Sequence, residues 1–389
     1  MNLLESIRNS IIRGCVQLVS RPLYWICLFG IPVFSAVFFV SLMEKGVADR
    51  VPSAIVDLDH TELSKSLTRN LNSLQTVDIQ YKLSSYTEAM DYMKEGKIMG
   101  FFMIPEGFSS KLGASRHPEL TYYINFAYFV PGSLLVKGFN KTAILANGAT
   151  LKTTLTSVGA PSSFIGPTLQ PFVTDVHPLN NPWLNYSYYL SNSFVPGMFA
   201  LMVMLMTAYT ITVEIKRKTS VQWIKQAGGS ILVALFGKLL PQTIVFTVVG
   251  CFIQVLFYGF CHFPMNGNIW HMFLAMFLLV LATQSFAILV CSIVPNMRFS
   301  LSICSLVSIL AFSLGGYSFP VESMYSGIAI YSYILPIRYY FLIYIDQALN
   351  GLDFAFSRYY YAALLIFVLL PFTLVWRLKK ACMNPTYIP

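Results

Sequence analysis

The sequence predicts a polytopic α-helical membrane protein of six transmembrane helices, with a mixed α/β extracytoplasmic domain inserted between helices 1 and 2. Three observations carry that prediction. Only 11% of the 389 residues are charged and 56% are hydrophobic, against roughly 25% charged in a soluble domain. Six apolar runs approach or exceed the ~20 residues that a helix needs to cross a hydrocarbon core. Between the first two runs lies a segment of ordinary soluble composition, with twelve basic and twelve acidic residues. A mean hydropathy of +0.61 excludes a disordered or fibrous chain. The runs lack the ten-residue alternation of a membrane barrel, so the spans are helical.

Residues 1–21 carry Leu3, Leu4, Ile7, Ile11 and Leu18 at helical spacing, with Glu5, Arg8, Asn9 and Arg13 between them. That pattern predicts a short N-terminal helix lying in the membrane interface. Arg21-Pro22 then turns the chain into the first span, 22–43. This run exceeds the length of a signal-peptide core and no A-x-A-like site follows it, so the span is retained.

In the inserted domain, 44–192, strands are predicted at 53–59, 77–83, 98–104 and 119–125. Asp59 or Thr61 caps a helix reaching about Leu74, with Leu63, Leu67 and Leu71 along one face. Ser84, Ser85 or Thr87 caps a second helix over 88–95, which Gly96 ends. Pro105 stops the third strand before a short helix near 106–112, and a longer helix covers about 131–157. Strands alternating with helices indicate a mixed α/β domain. His60, His117 and His177 are too scattered for a metal site. Asp57 and Asp59 read as a strand end and a helix cap rather than a catalytic carboxylate pair.

The other spans are 193–213, 231–258, 270–294, 299–319 and 359–376. They leave a loop at 214–230, an interrupted segment at 320–358 and a tail at 377–389. Twelve Lys and Arg flank the spans on one side: Arg8, Arg13 and Arg21; Lys216, Arg217, Lys218 and Lys225; Lys238 and Arg298; and Arg377, Lys379 and Lys380. The other side carries Arg338 and Arg358 alone outside the neutral domain. The positive-inside rule therefore puts both termini in the cytoplasm and residues 44–192 outside it. The net charge of +9 is an orientation signal, held by loops too short to bind nucleic acid.

Gly237-Lys238 fails as a phosphate-binding loop, because Leu232 stands where the first Gly belongs and Leu239 follows the Lys. With no other nucleotide-binding loop, any ATP used must bind another chain. No Asp or Glu sits within a predicted span, which argues against a proton-coupled carrier. Gln254 and Gln284 either line a substrate path or hydrogen-bond between helices. The seven cysteines lack C-x-x-C spacing and avoid the inserted domain, so they read as packing residues.

At residues 214–241 and 315–351 the chain resembles the membrane subunit of an ABC-2-type (type V) ABC exporter. The first stretch offers Glu214, Lys218, Thr219, Gly237, Lys238 and Pro241, in the order of that family's acidic–basic–Thr/Ser and G-K-x-x-P pattern. The second offers Gly316, Phe319, Pro320, Met324, Pro336, Tyr339 and Gly351. It departs from the pattern at Tyr325, where a proline often follows the Met. Lys218 also stands where a Gly commonly precedes the Thr.

The resemblance implies that Glu214, Lys218, Thr219, Trp223, Gly237 and Lys238 couple the chain to a cytoplasmic ATPase subunit through a short coupling helix. It also implies a re-entrant hairpin over 320–358, with Pro320 and Pro336 breaking its helices. The chain is then not an enzyme by itself; ATP and Mg belong to the partner ATPase. The other implied partners are a second permease subunit, a periplasmic adaptor and an outer-membrane channel. The expected activity is export of an amphipathic or hydrophobic substrate. Rival classes are a membrane-anchored extracytoplasmic ligand receptor and a secondary carrier.

Overall fold

The computed structural model describes residues 3–44, 46, 49–113, 118–169, 179–181 and 185–385. The chain divides into two compact units, one of Met1–Glu44 with Pro178–Pro389 and one of Lys45–His177.

The larger unit is a multi-pass membrane bundle. It opens with α1 (Leu3–Val19) and the first span, α2 (Pro22–Leu42). The face of α1 turned into the bundle is Ser6, Ser10, Gly14 and Leu18, while Leu3, Leu4, Ile12, Val16 and Val19 are exposed. Of the predicted interfacial stripe of Leu3, Leu4, Ile7, Ile11 and Leu18, only Leu18 joins this buried face. Here small residues at four-residue spacing make the protein contact through close backbone approach.

The five further spans are α8 (Tyr186–Lys216), α10 (Ile231–Phe260), α11 (Ile269–Ile293), α12 (Met297–Leu314) and α15 (Phe354–Thr373). Helices α8 and α11 form the centre, with 67% and 72% of their most apolar windows buried, against 22% for both α2 and α12. Glycine permits the closest crossings. A Cβ at Gly250 would meet Met276 at 2.6 Å, and one at Gly197 would meet Phe312 at 2.6 Å.

Two span starts differ from the sequence prediction by five residues or more, and side-chain caps explain both. Asn185 accepts from the Ser187 N–H and starts α8 seven residues before the apolar run at 193. Asp353 caps α15 at Phe354, ahead of the predicted 359. A short helix, α9 (Ser220–Gln226), fills the 214–230 loop, and α16 (Val375–Met383) follows the last span. Between α12 and α15 lie α13 (Ser326–Ser332) and α14 (Pro336–Leu349), bent by 80° to one another.

The smaller unit is a four-stranded sheet of order β2-β1-β3-β4. Its strands are β1 (Val51–Asp57), β2 (Val77–Leu83), β3 (Gly100–Ile104) and β4 (Thr121–Ile124). β1 pairs parallel to β2 and β3, and β4 runs antiparallel to β3. The crossovers are α3 (Glu62–Asn72) and α4 (Tyr86–Lys94), capped by Thr61 and Ser85. The short α5 (Phe108–Gly113), the long α6 (Phe129–Ser157) and α7 (Ser162–Leu169) complete the unit.

Both faces of this sheet are covered. Ile55, Leu67, Leu71, Phe102 and Phe139 pack on one side; Ala54, Val56, Ala89 and Phe101 pack on the other. Central β1 is therefore apolar nearly throughout rather than alternating. The α3 stripe is shorter than predicted: the helix stops at Asn72, and Leu63 is exposed. Asp57 takes the predicted structural role, its carboxylate accepting from the N–H groups of Asp59 and His60 and from Ser64 Oγ. His117 and His177 lie outside the described residues.

Candidate functional site

The second span continues past its apolar run through Glu214 to Lys216. Lys218 then takes a left-handed φ of 58°, and the Thr219 N–H donates to the Glu214 carbonyl at 2.9 Å, turning the chain into α9. Gly228 and Gly229, with φ of 67° and 79°, turn it again into α10. These two turns bring Glu214 and Lys238 face to face.

Lys238 Nζ lies 2.5 Å from Glu214 Oε1, and Arg13 Nη2 lies 2.8 Å from Oε2. Thr219 Oγ1 donates to the same Oε2. Arg13 also donates to Gln226 Oε1 at 2.8 Å. The Lys238 ammonium sits 4.5 Å from the centroid of the Trp223 ring, whose Nε1 donates to the Ala234 carbonyl at 3.2 Å. Ser10 Oγ shares that carbonyl at 3.2 Å. One buried carboxylate thus meets two cations and a hydroxyl, while an aromatic face covers the more buried cation. Charge-assisted bonds and the ring offset the desolvation of charges taken into an apolar bundle.

Close helix crossing makes the node possible. A Cβ at Gly237 would fall 2.4 Å from Ser10 Cβ, and one at Gly14 would fall 2.9 Å from the Lys238 carbonyl. Ser220 Oγ donates to the Cys382 carbonyl at 2.7 Å, tying α9 to α16. The node therefore joins α1, α8, α9 and α10, and α9 ties it to α16.

This placement changes the part assigned to the six residues expected to face an ATPase. Glu214, Trp223, Gly237 and Lys238 are buried, Thr219 is half-buried, and Lys218 alone is exposed. Glu214, expected in a loop, stands inside a helix because two cations and Thr219 neutralise and bond it. The exposed side of α9 presents Gln222, Lys225 and Gln226. The sequence reading missed Arg13, Ser10 and Gly14 as members of the node. Their signal is the Ser6-Ser10-Gly14 spacing, which marks the packed face of α1.

The second predicted set is split, with Pro336 and Tyr339 at the bend between α13 and α14 and the others spread around it. Pro336 opens α14, and the Tyr339 hydroxyl donates across the bend to the Tyr333 carbonyl at 3.0 Å. Pro320 does not break a helix; it leads the single 3₁₀ turn Val321–Ser323, and the neighbouring Phe319 is exposed. Gly316, at φ 94°, leaves room for the Arg338 guanidinium. Gly351, at φ 61°, closes on the 261–268 loop, where a Cβ would meet the Asn266 carbonyl at 2.9 Å.

Both amides make hydrogen bonds between helices. Gln254 donates to the Tyr340 hydroxyl at 2.6 Å, and Gln284 accepts from Thr243 Oγ1 at 2.7 Å. Gln284 also borders a groove of about 750 Å³ between α10, α11 and α15, lined almost wholly by apolar side chains such as Leu239, Phe277 and Phe372.

A family model described as "ABC-2 family transporter protein" matches residues 22–377. The chain is also similar to the linearmycin resistance permease protein LnrN of Bacillus subtilis (strain 168), at 30% identity over 102 residues. That match spans 26% of this chain and 26% of the relative. The family model takes in all six spans and both predicted motif stretches, as well as the turns that build the charge node. The chain belongs to the ABC-2 family of transporter proteins, as a membrane permease component.

Proposed function

We propose that this chain is the permease subunit of an ATP-driven exporter, moving an amphipathic or hydrophobic substrate out of the cytoplasm or the inner membrane. Both termini and α9 face the cytoplasm in this reading, and the α/β unit stands in the periplasm, as the Lys and Arg asymmetry favours. ATP and Mg bind a separate ATPase. Two permease subunits, identical or related, flank the pathway, and the α/β unit docks an adaptor that leads to an outer-membrane channel. The similar Bacillus protein is named as a linearmycin resistance permease, which supports transport as the activity.

The observation that carries the reading is the construction of α9. Its inner face, Trp223 and Ile224, is fully buried, while Gln222 and Lys225 are exposed between two left-handed turns. A short helix locked to four bundle elements on one side and bare on the other transmits a push from a docked partner into the spans. The buried node fixes the geometry and the outer residues make the contact. The test is reconstitution with the partner ATPase. Gln222→Ala with Lys225→Glu is expected to leave membrane insertion intact and to reduce substrate-stimulated hydrolysis to the basal rate. Unchanged stimulation in that double variant refutes the docking assignment.

A further inference from the structure

The bend between α13 and α14 holds a cation that no described carboxylate answers. Arg338 is 7% exposed, yet it enters no ion pair among the described residues. Its buried Nε has no hydrogen-bond partner among them. The Tyr333 ring covers the guanidinium, with the Arg338 Cζ 5.1 Å from the ring centroid. On another side the guanidinium lies against Gly316, where a Cβ would fall 2.7 Å from Nη1. The two acids of the 320–350 segment make no ion pair with it. Asp346 accepts from Ser357 Oγ, and Glu322 is exposed.

A charged side chain inside a membrane bundle normally pairs with another group or marks a site. A guanidinium also presents side-on forks of donors that match the paired oxygens of an oxyanion. Nε is one tine of such a fork, and here it is the orphan. Gly316 lies two residues beyond the last residue of α12, so the fork sits by the end of a span, where lipid phosphates reside.

We propose that Arg338 is a receptor for the phosphate group of an amphiphile, seated at the α13–α14 bend between Tyr333 and Gly316. The shared chemistry is an anionic phosphate ester, presented by a bilayer lipid headgroup or by a free phosphorylated amphiphile. Neither ATP hydrolysis nor transport enters this assignment, so its failure leaves the exporter reading untouched.

The test uses the full-length chain in nanodiscs, without any ATPase, and measures co-purified lipid by native mass spectrometry. In discs mixing phosphatidylglycerol with phosphatidylcholine, the wild type is expected to retain the anionic lipid about tenfold over its share, the factor one charge-assisted hydrogen bond supplies. Arg338→Gln should abolish that preference and Arg338→Lys should keep part of it. Adding dihexanoyl phosphatidic acid to phosphatidylcholine discs separates the sources. Its retention shows that a free phosphorylated amphiphile suffices, whereas retention of phosphatidylglycerol alone assigns the bilayer headgroup.

No anionic preference in the wild type overturns the proposal, as does an undiminished preference in Arg338→Gln. Should that variant fail to fold, the wild type labelled with ¹⁵N-arginine decides in phosphatidylglycerol bilayers. A ³¹P–¹⁵N coupling at the Arg338 resonance is expected; its absence, or pairing with a carboxylate of a second copy, overturns the assignment.

Discussion

Replacing Lys238 by Met tests the charge node most directly, because Met keeps the length and volume of the side chain and removes only the ammonium. The Lys238 side chain is 0% exposed and that of Glu214 is 6% exposed, so little water can take the place of the lost partner. Breaking a buried ion pair from one side costs ~3–5 kcal/mol, since the remaining charge stays desolvated. Glu214 Oε2 keeps Arg13 at 2.8 Å and the Thr219 hydroxyl, and only Oε1 loses its donor. The expected loss therefore falls near the lower end, about 3 kcal/mol. Adding Glu214→Gln removes the stranded charge, so the double variant should lose ~1–3 kcal/mol less than the sum of the single losses. Denaturant unfolding of the full chain in micelles, followed by tryptophan fluorescence, measures both. A Lys238→Met variant within about 0.5 kcal/mol of wild type, or strict additivity with Glu214→Gln, refutes the node as a coupled unit.

Arg13→Gln should cost under ~1 kcal/mol in the same assay, because the Arg13 side chain is 23% exposed and its pairing is screened; a larger loss than Lys238→Met would make Arg13 the principal partner. Gly237→Ala sets a Cβ 2.4 Å from Ser10 Cβ and 2.9 Å from the Ser10 carbonyl carbon. Overpacking of about 1–3 kcal/mol is expected, and Ser10→Gly should relieve it only in part, since the backbone carbon remains. Tyr340→Phe strands the buried Gln254 amide at ~1–3 kcal/mol, and adding Gln254→Leu should recover most of that loss in melting temperature. In the α/β unit, burial pushes the Asp59 carboxyl up, but hydrogen bonds from Ser109 and Thr61 outweigh it and hold the group below its ordinary value. A lowered folded pKa contributes stability above the unfolded value of about 4, lost as pH falls through the folded value; Asp59→Asn should flatten the pH dependence of unfolding below pH ~4.

The spans were legible because the bilayer imposes a length, and a run of apolar residues has no competing reading at that length. The β2 strand, 77–83, coincides with its sequence range because polar Asp78, Gln80 and Lys82 alternate with Val77, Ile79 and Tyr81. β1 begins two residues before its expected start because both its faces are covered, which leaves no alternation to mark an end. The node was not legible. Lys238 looks like one more positive-inside charge, and Arg13 looks like an interfacial cation beside its apolar neighbours. Their meeting at Glu214 spans 24 and 201 positions of sequence and depends on two glycine-permitted crossings that no local pattern announces. Trp223 misled in the opposite sense: an aromatic in a basic loop suggests a surface anchor, yet here its ring covers a buried ammonium.

The two buried cations among the described residues of the bundle, Lys238 and Arg338, carry different meanings for a single reason. Desolvating a charge costs the same kind of energy wherever it occurs, so the partners reveal what offsets it. Lys238 has a carboxylate and an aromatic ring, and every element of its surroundings belongs to this chain. Such a group is complete, and it holds α1, α8, α9 and α10 in one arrangement. Arg338 has a ring and a glycine-made space, and its Nε donor is unused. Satisfaction distinguishes scaffold from site: one buried cation is fully surrounded, while the other keeps a buried Nε with no partner among the described residues, and on that difference the phosphate proposal rests.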